Sequence, residues 1–195
     1  MDDDAEVRNL GNDIKYGDVI VIHDPINHGY FTARLQKKCH LMVEELEFPT
    51  RQHMFTSPPE SMDCLFKVTP KLFYAAQSEY NSLMKRDDVE EEVLAEAKKE
   101  RAKELQINAG LCRKFRGVAV YFGSCVQFLH LKTNCYITMV KEQADADSER
   151  LKLILDEAGN ENSWFFFNIA YKTMKMGANI PYKVLTLTLK NHHET

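Results

Sequence analysis

The sequence predicts a mainly β fold, built from one four-strand unit used more than once and interrupted by a pair of helices. Three observations carry this. Two segments share a pattern at the same spacing: Gly17-Asp-Val-Ile-Val-Ile-His, reaching Tyr30-Phe-Thr, and Gly123-Ser-Cys-Val-Gln-Phe-Leu-His, reaching Tyr136-Ile-Thr. A stretch of different character, Pro70 to Arg116, has helical rather than alternating periodicity. The 195 residues, 44% of them hydrophobic, suffice for one substantial core.

Each repeated segment reads as a strand, a polar turn (Asp24 to Gly29, and Lys132 to Cys135) and a second strand, with β-branched and aromatic residues where a pleated surface favours them. A further apolar run follows each hairpin, Cys39 to Val43 or Leu151 to Leu155, and then Cys64-Leu-Phe-Lys-Val or Trp164-Phe-Phe-Phe-Asn-Ile. The unit therefore has about four strands, and three such units closing on one another make a β-trefoil, in which closure removes exposed edges. The third unit is expected to begin near Tyr182, with Lys183-Val-Leu-Thr-Leu-Thr-Leu189 as its first strand. It is incomplete at Thr195, so the chain is expected to be a piece of a larger protein. Residues 1–69 are thus the first unit, 70–116 a helix-turn-helix arm inserted after it, and 117–195 the second unit with the start of the third, all in one domain.

Within the arm, Leu72, Phe73, Ala76, Tyr80 and Leu83 recur at helical spacing and predict a first amphipathic helix. The second is expected from about Asp88 to Ile107, with Asp87 or Asp88 as its cap and Glu90, Glu91 and Glu92 in the first turn, where the helix dipole favours them. Val93, Ala97 and Leu105 give it only a thin apolar stripe. Glu96, Glu100 and Glu104 repel at helical spacing, softened by Lys99 and Lys103, so the arm should project into solvent.

Composition removes several function classes. With 25 Lys+Arg against 29 Asp+Glu and a net charge of -4, no basic stripe is available for nucleic acid. The acidic start, Met1-Asp-Asp-Asp-Ala-Glu, lacks the pattern of a secretory signal, which predicts a cytosolic chain, and no apolar run approaches the roughly 20 residues of a membrane span. Cys39, Cys64, Cys112, Cys125 and Cys135 are irregularly spaced with no Cys-x-x-Cys pair, which suits reduced, mostly buried thiols rather than a redox sensor. The seven histidines show no ligand spacing, so no metal is expected, and His130 is read as a hydrogen-bonded imidazole beside the second hairpin. There is no Gly-x-Ser-x-Gly elbow and no phosphate-cradling loop, while Asp156-Glu157 precede a Gly159-Asn160 turn and read as solvated loop carboxylates. Neither an enzyme nor a cofactor is expected.

Two strings carry a resemblance. Leu129-His-Leu-Lys-Thr-Asn-Cys-Tyr-Ile-Thr and Leu155-Asp-Glu-Ala-Gly-Asn-Glu-Asn-Ser-Trp-Phe closely resemble the wording of the amino-terminal domain of inositol trisphosphate receptors, calcium-release channels of the endoplasmic reticulum. Tyr16-Gly-Asp-Val-Ile, Asp63-Cys-Leu-Phe-Lys-Val and Ala170-Tyr-Lys extend it in order over most of the chain. The resemblance implies a first trefoil with a helical arm on the cytosolic face of that membrane. This suppressor domain would lower the ligand affinity of the downstream inositol trisphosphate-binding core and couple ligand binding to gating through protein contacts. The scattered Arg and Lys agree that the ligand is not held here, since three phosphates need converging cations.

The same resemblance places contact positions toward the core and the neighbouring subunit of a tetramer at Lys132, Tyr171, Met174 and Met176, and at Leu35 and Lys38 in the turn after the second strand. Local packing for the methionines, and a solvated turn for Lys37-Lys38, remain equal alternatives. Calmodulin is a further candidate partner. A Homer-type scaffold is not expected, because Pro58-Pro59-Glu60-Ser61-Met62 lacks the closing Phe of the family's proline motif. The rival readings are a ryanodine receptor domain, a free trefoil binding module, and a mannosyltransferase with similar repeats, the last disfavoured by the acidic start.

Overall fold

A computed structural model of the chain describes residues 13–24, 29–36, 38–45, 61–144, 151–168 and 175–180. The strand expected at Lys183 to Leu189 lies outside them. Nine strands and two helices occur among the described residues: β1 (Val19–Ile20), β2 (His23–Asp24), β3 (Gly29–Gln36), β4 (Lys38–Glu45), β5 (Phe66–Pro70), α1 (Ala75–Leu83), α2 (Glu91–Phe115), β6 (Cys125–His130), β7 (Cys135–Gln143), β8 (Leu151–Asp156) and β9 (Phe165–Phe166). All strand pairs are antiparallel, in the order β1-β5-β6-β7-β8-β4-β3-β2, with β9 on β6.

The repeat in the sequence is a repeat of pairing. Displacing residue numbers by the separation of Gly17 from Gly123 maps the first hairpin's register, His23↔Tyr30 and Asp24↔Gly29, onto the second's, Leu129↔Tyr136 and His130↔Cys135. The strand closing each unit returns to its opening strand in the same way: Val19↔Lys67 and Ile20↔Phe66 in one, Cys125↔Phe166 and Val126↔Phe165 in the other. Matched positions are buried alike, Ile20 with Val126, Ile22 with Phe128, Phe66 with Phe165 and Val68 with Phe167. Alternating side chains of a strand point to opposite faces, so equal registers deliver equal residues to one core.

Where the units meet, three segments far apart in sequence close a ring. Val120 donates its N–H to the Ile14 carbonyl at 2.8 Å, Ile14 to Ile180 at 2.8 Å, and Ile180 to Val120 at 3.2 Å, and all three residues are fully buried. Each segment supplies one donor and one acceptor, so none of the three pairs leaves a polar group stranded in the core.

The arm departs from expectation in its details. Leu72 and Phe73 precede α1 rather than open it, and Phe73 is exposed. The second helix begins at Glu91 behind Glu90, which makes no side-chain cap, and runs on to Phe115. Val93 and Leu105 are exposed, leaving Ala97, Glu104 and Asn108 as its buried residues. The helices are held by polar bonds in place of an apolar stripe. Glu104 accepts the N–H groups of Ala76 at 2.9 Å and Gln77 at 3.0 Å, so one carboxylate caps the start of the other helix, where the dipole is positive. Arg101 donates to the Gln77 side chain and lies over the Tyr80 ring.

Asp156 is a turn anchor rather than a solvated carboxylate. Its side chain accepts from the N–H groups of Ala158 and Gly159 and from the Asn160 amide. Gly159, at φ +66°, lies so close to the Tyr74 hydroxyl and the Tyr136 ring that a Cβ there would meet them at 2.6 and 2.9 Å. Gly159→Ala is therefore expected to cost about 2 to 4 kcal/mol. Gly110→Ala, inside α2 with nothing within 4 Å of the added carbon, is expected to gain about 0.5 to 1 kcal/mol. Urea denaturation of the two variants checks both signs.

Candidate interaction surface

Lys132 lies in the turn joining β6 to β7, where Asn134 takes a left-handed backbone, φ 56°. Its ammonium is bound to the Asp63 carboxylate, which sits in the short 3-10 turn before β5 and is largely buried. Leu131 N–H donates to the Leu65 carbonyl beside it, so the second unit's turn is laced to the first unit's last strand. Lys132 is thus a positioned charge, oriented by a carboxylate from the other unit.

Beneath it His130 is fully buried, with Nε2 at 3.2 Å from the Asp63 carbonyl and Nδ1 at 2.9 Å from the Thr133 hydroxyl. A carbonyl can only accept, so Nε2 carries the proton, and Nδ1 accepts from Thr133, whose backbone N–H also points at it from 3.3 Å. Burial lowers the pKa of this imidazole, opposed by Asp63 and the Met62 backbone and helped by Lys132. This agrees with the sequence reading of His130.

The backbone places the other expected contact residues. Leu35 pairs with Cys39 and Gln36 with Lys38 at the β3–β4 tip. His40 pairs with Ile154, which puts Lys38 level with Asp156, itself paired with Tyr136 near the Lys132 turn. The β3–β4 tip and the Lys132 turn therefore share one end of the sheet, two strand spacings or about 10 Å apart across β8. Tyr171 and Met174 lie outside the described residues.

Met176 is at the opposite end. It is 63% exposed, its methyl sits over Gly123 close to where a Cβ would be, and Gly177 N–H bonds the Phe122 carbonyl just before β6. β6 separates it from the Lys132 turn by roughly 20 Å at about 3.3 Å per residue. The expected contact positions among the described residues thus fall at two opposite ends of β6 and its neighbours. Tyr121, 41% exposed between buried Val120 and Phe122 and bridged to Asn179, adds an aromatic to the Met176 end that sequence reasoning missed.

Among the described residues, no group of three His, Cys, Asp or Glu could hold a metal ion, and no helix is long and apolar enough to cross a membrane. Burial pushes the Cys125 thiol up to about 11 and also raises Cys112, so both are poor nucleophiles.

A family model described as inositol 1,4,5-trisphosphate/ryanodine receptor matches residues 9–183. The chain is 39% identical over 135 residues to the inositol 1,4,5-trisphosphate receptor itr-1 of Caenorhabditis elegans, a match covering 64% of this chain and 4% of that much longer protein. Among solved structures it is similar to a C. elegans protein of unknown function, at 9% identity and TM-score 0.47 over 83% of this chain and 68% of the other. It is also similar to the SDF2-like protein from Arabidopsis thaliana, at 11% identity and TM-score 0.45 over 82% and 65%.

Above pH about 6.5, His130 is neutral in both folded and unfolded chains. As pH falls below that, the unfolded chain takes the proton first, so stability drops until the lowered folded-state pKa is passed. Urea midpoints between about pH 7 and pH 5 should fall for the wild type more steeply than for His130→Gln.

Proposed function

We propose that this chain, which belongs to the inositol 1,4,5-trisphosphate/ryanodine receptor family, is the amino-terminal regulatory domain of an inositol trisphosphate-gated calcium-release channel. The observation that carries the reading is the family match over residues 9–183, joined by 39% identity to a protein named an inositol 1,4,5-trisphosphate receptor. That relative favours the inositol trisphosphate side of the family over the ryanodine side.

The fold that fits is a β-trefoil with an inserted arm, divided as 1–69, 70–116 and 117–195 within one domain. Two units with the same register and a three-membered ring of backbone bonds support it. The domain works without catalysis, on the cytosolic face of the endoplasmic reticulum. It binds one conformation of the downstream ligand-binding core and neighbouring subunit better than another, which lowers ligand affinity and passes closure toward the gate. Calmodulin stays a candidate partner and a Homer-type scaffold does not.

Engagement of its cations supports a contact role over ligand capture. Lys132 is held by Asp63, Lys71 stands over Trp164 at 3.8 Å, and Arg101 serves the arm. None of these converges with the others as three phosphates would require. Two contact surfaces follow, Lys132 with the Leu35 and Lys38 positions at one end of the sheet and Met176 at the other, and Tyr171 and Met174 stay contact candidates by resemblance alone.

Joining residues 1–195 to the downstream binding core is expected to weaken ligand affinity on the order of tenfold relative to the core alone. Lys132→Glu and Met176→Glu should each restore part of that affinity while the variants stay folded by circular dichroism. Unchanged affinity and unchanged gating with the domain removed would defeat the reading.

A further inference from the structure

The segment Lys71 to Tyr74, between the end of β5 and the start of α1, is where a hinge would be expected: a short connection outside any strand or helix. Its backbone is instead gripped from three directions. Leu72 N–H donates to the side-chain oxygen of Gln127 in β6 at 3.0 Å, and the Leu72 carbonyl accepts from the Trp164 indole at 3.2 Å. Phe73 N–H donates to Asn108 Oδ1 of α2 at 2.9 Å while Asn108 Nδ2 returns a bond to the Phe73 carbonyl at 2.8 Å. All four polar backbone groups of two consecutive residues are thus taken by side chains, two of which, Gln127 and Asn108, are buried.

The fastening continues on both sides. Gln127 also donates to the Tyr74 hydroxyl at 2.7 Å, and Lys71 lies over Trp164. In the first turn of α1, Glu104 takes two more amides. The second connection, after α2, is tied as well. Phe115 packs edge-on to Tyr16, Gly117 N–H bonds the Tyr16 carbonyl at 2.8 Å, and Tyr16 N–H bonds Val118 at 2.9 Å, two residues from ring members Ile14 and Val120.

We infer that the helical arm is a rigid lever, locked in direction by the side-chain clamp on Leu72 and Phe73, so that a load on α1 and α2 reaches β6 and the Ile14–Val120–Ile180 ring with no hinge between. A hinge needs backbone torsions that can change without losing bonds. Here rotation about Leu72 or Phe73 breaks up to four, each leaving a polar group beside the core. The inference is independent of the receptor assignment, because it concerns motion within this chain.

Hydrogen exchange on the wild-type chain tests it without any substitution: the amides of Leu72, Phe73, Ala76 and Gln77 should be protected as strongly as those of β5. Asn108→Ala should speed exchange at Phe73 by about tenfold. Nitroxides carried on non-natural residues at Glu92 and Glu142 should give one narrow distance in the wild type, and a broader one in Asn108→Ala, by pulsed electron spin resonance. Loop-like exchange at Leu72 and Phe73, a broad or two-peaked wild-type distance, or no change at Phe73 in a folded Asn108→Ala chain would each overturn the lever. Should that variant fail to fold, the wild-type exchange and distance measurements still decide.

Discussion

The three backbone hydrogen bonds that join Ile14, Val120 and Ile180 in a circle are the constraint on which the rest depends. A buried peptide group must find a partner, and here each of three strand-like segments can do so only if the other two are present. The apolar core gathers around this point, with Tyr16, Phe122, Val126 and Phe165 among the residues it closes over. Once the circle is set, matching registers in the two units place Phe66 and Phe165 at corresponding positions, so the core is filled by repetition.

The arm rests on a different principle. A helix pair with so little apolar surface would normally part company in water, because most helix stability in proteins comes from burying an amphipathic face. This pair closes through Glu104, Asn108 and Gln77. A buried carboxylate is costly unless charge-assisted bonds replace its water, and the first-turn amides of α1 supply two of them at a site where the dipole already favours an anion. Such bonds are directional, so the same residues that hold the helices together also dictate their angle to one another.

That contrast explains what could be read in advance. The hairpins were legible because alternation and matched Gly-to-Tyr spacing report directly on strand faces, and His130 because its neighbours Leu129 and Leu131 placed it in a strand. The arm's existence followed from its periodicity, but its working residues did not. Val93 and Leu105 were apolar and are exposed, Glu104 was counted among the charges of a solvent-projecting helix and is buried, and Asn108, also buried, lay beyond the helix end that the sequence suggested. Only geometry could tell which carboxylate in a charged helix faced a helix start. Asp156 was misjudged for the same reason, since a turn anchor and a solvated acid share one letter. The contact residues were named singly by resemblance, and nothing in their spacing disclosed that Lys132 and Met176 lie at opposite ends of β6.

The circle's members come from the beginning, middle and far end of the described chain. During synthesis the first of them leaves the ribosome long before the last, so Ile14 and Val120 must wait with one bond of the circle available and two pending. Folding that depends on such distant encounters is slow, and intermediates with exposed strands are prone to stick to one another. Nascent copies of this domain should therefore expose unpaired strands until Ile180 has emerged, the interval in which chaperone protection counts most.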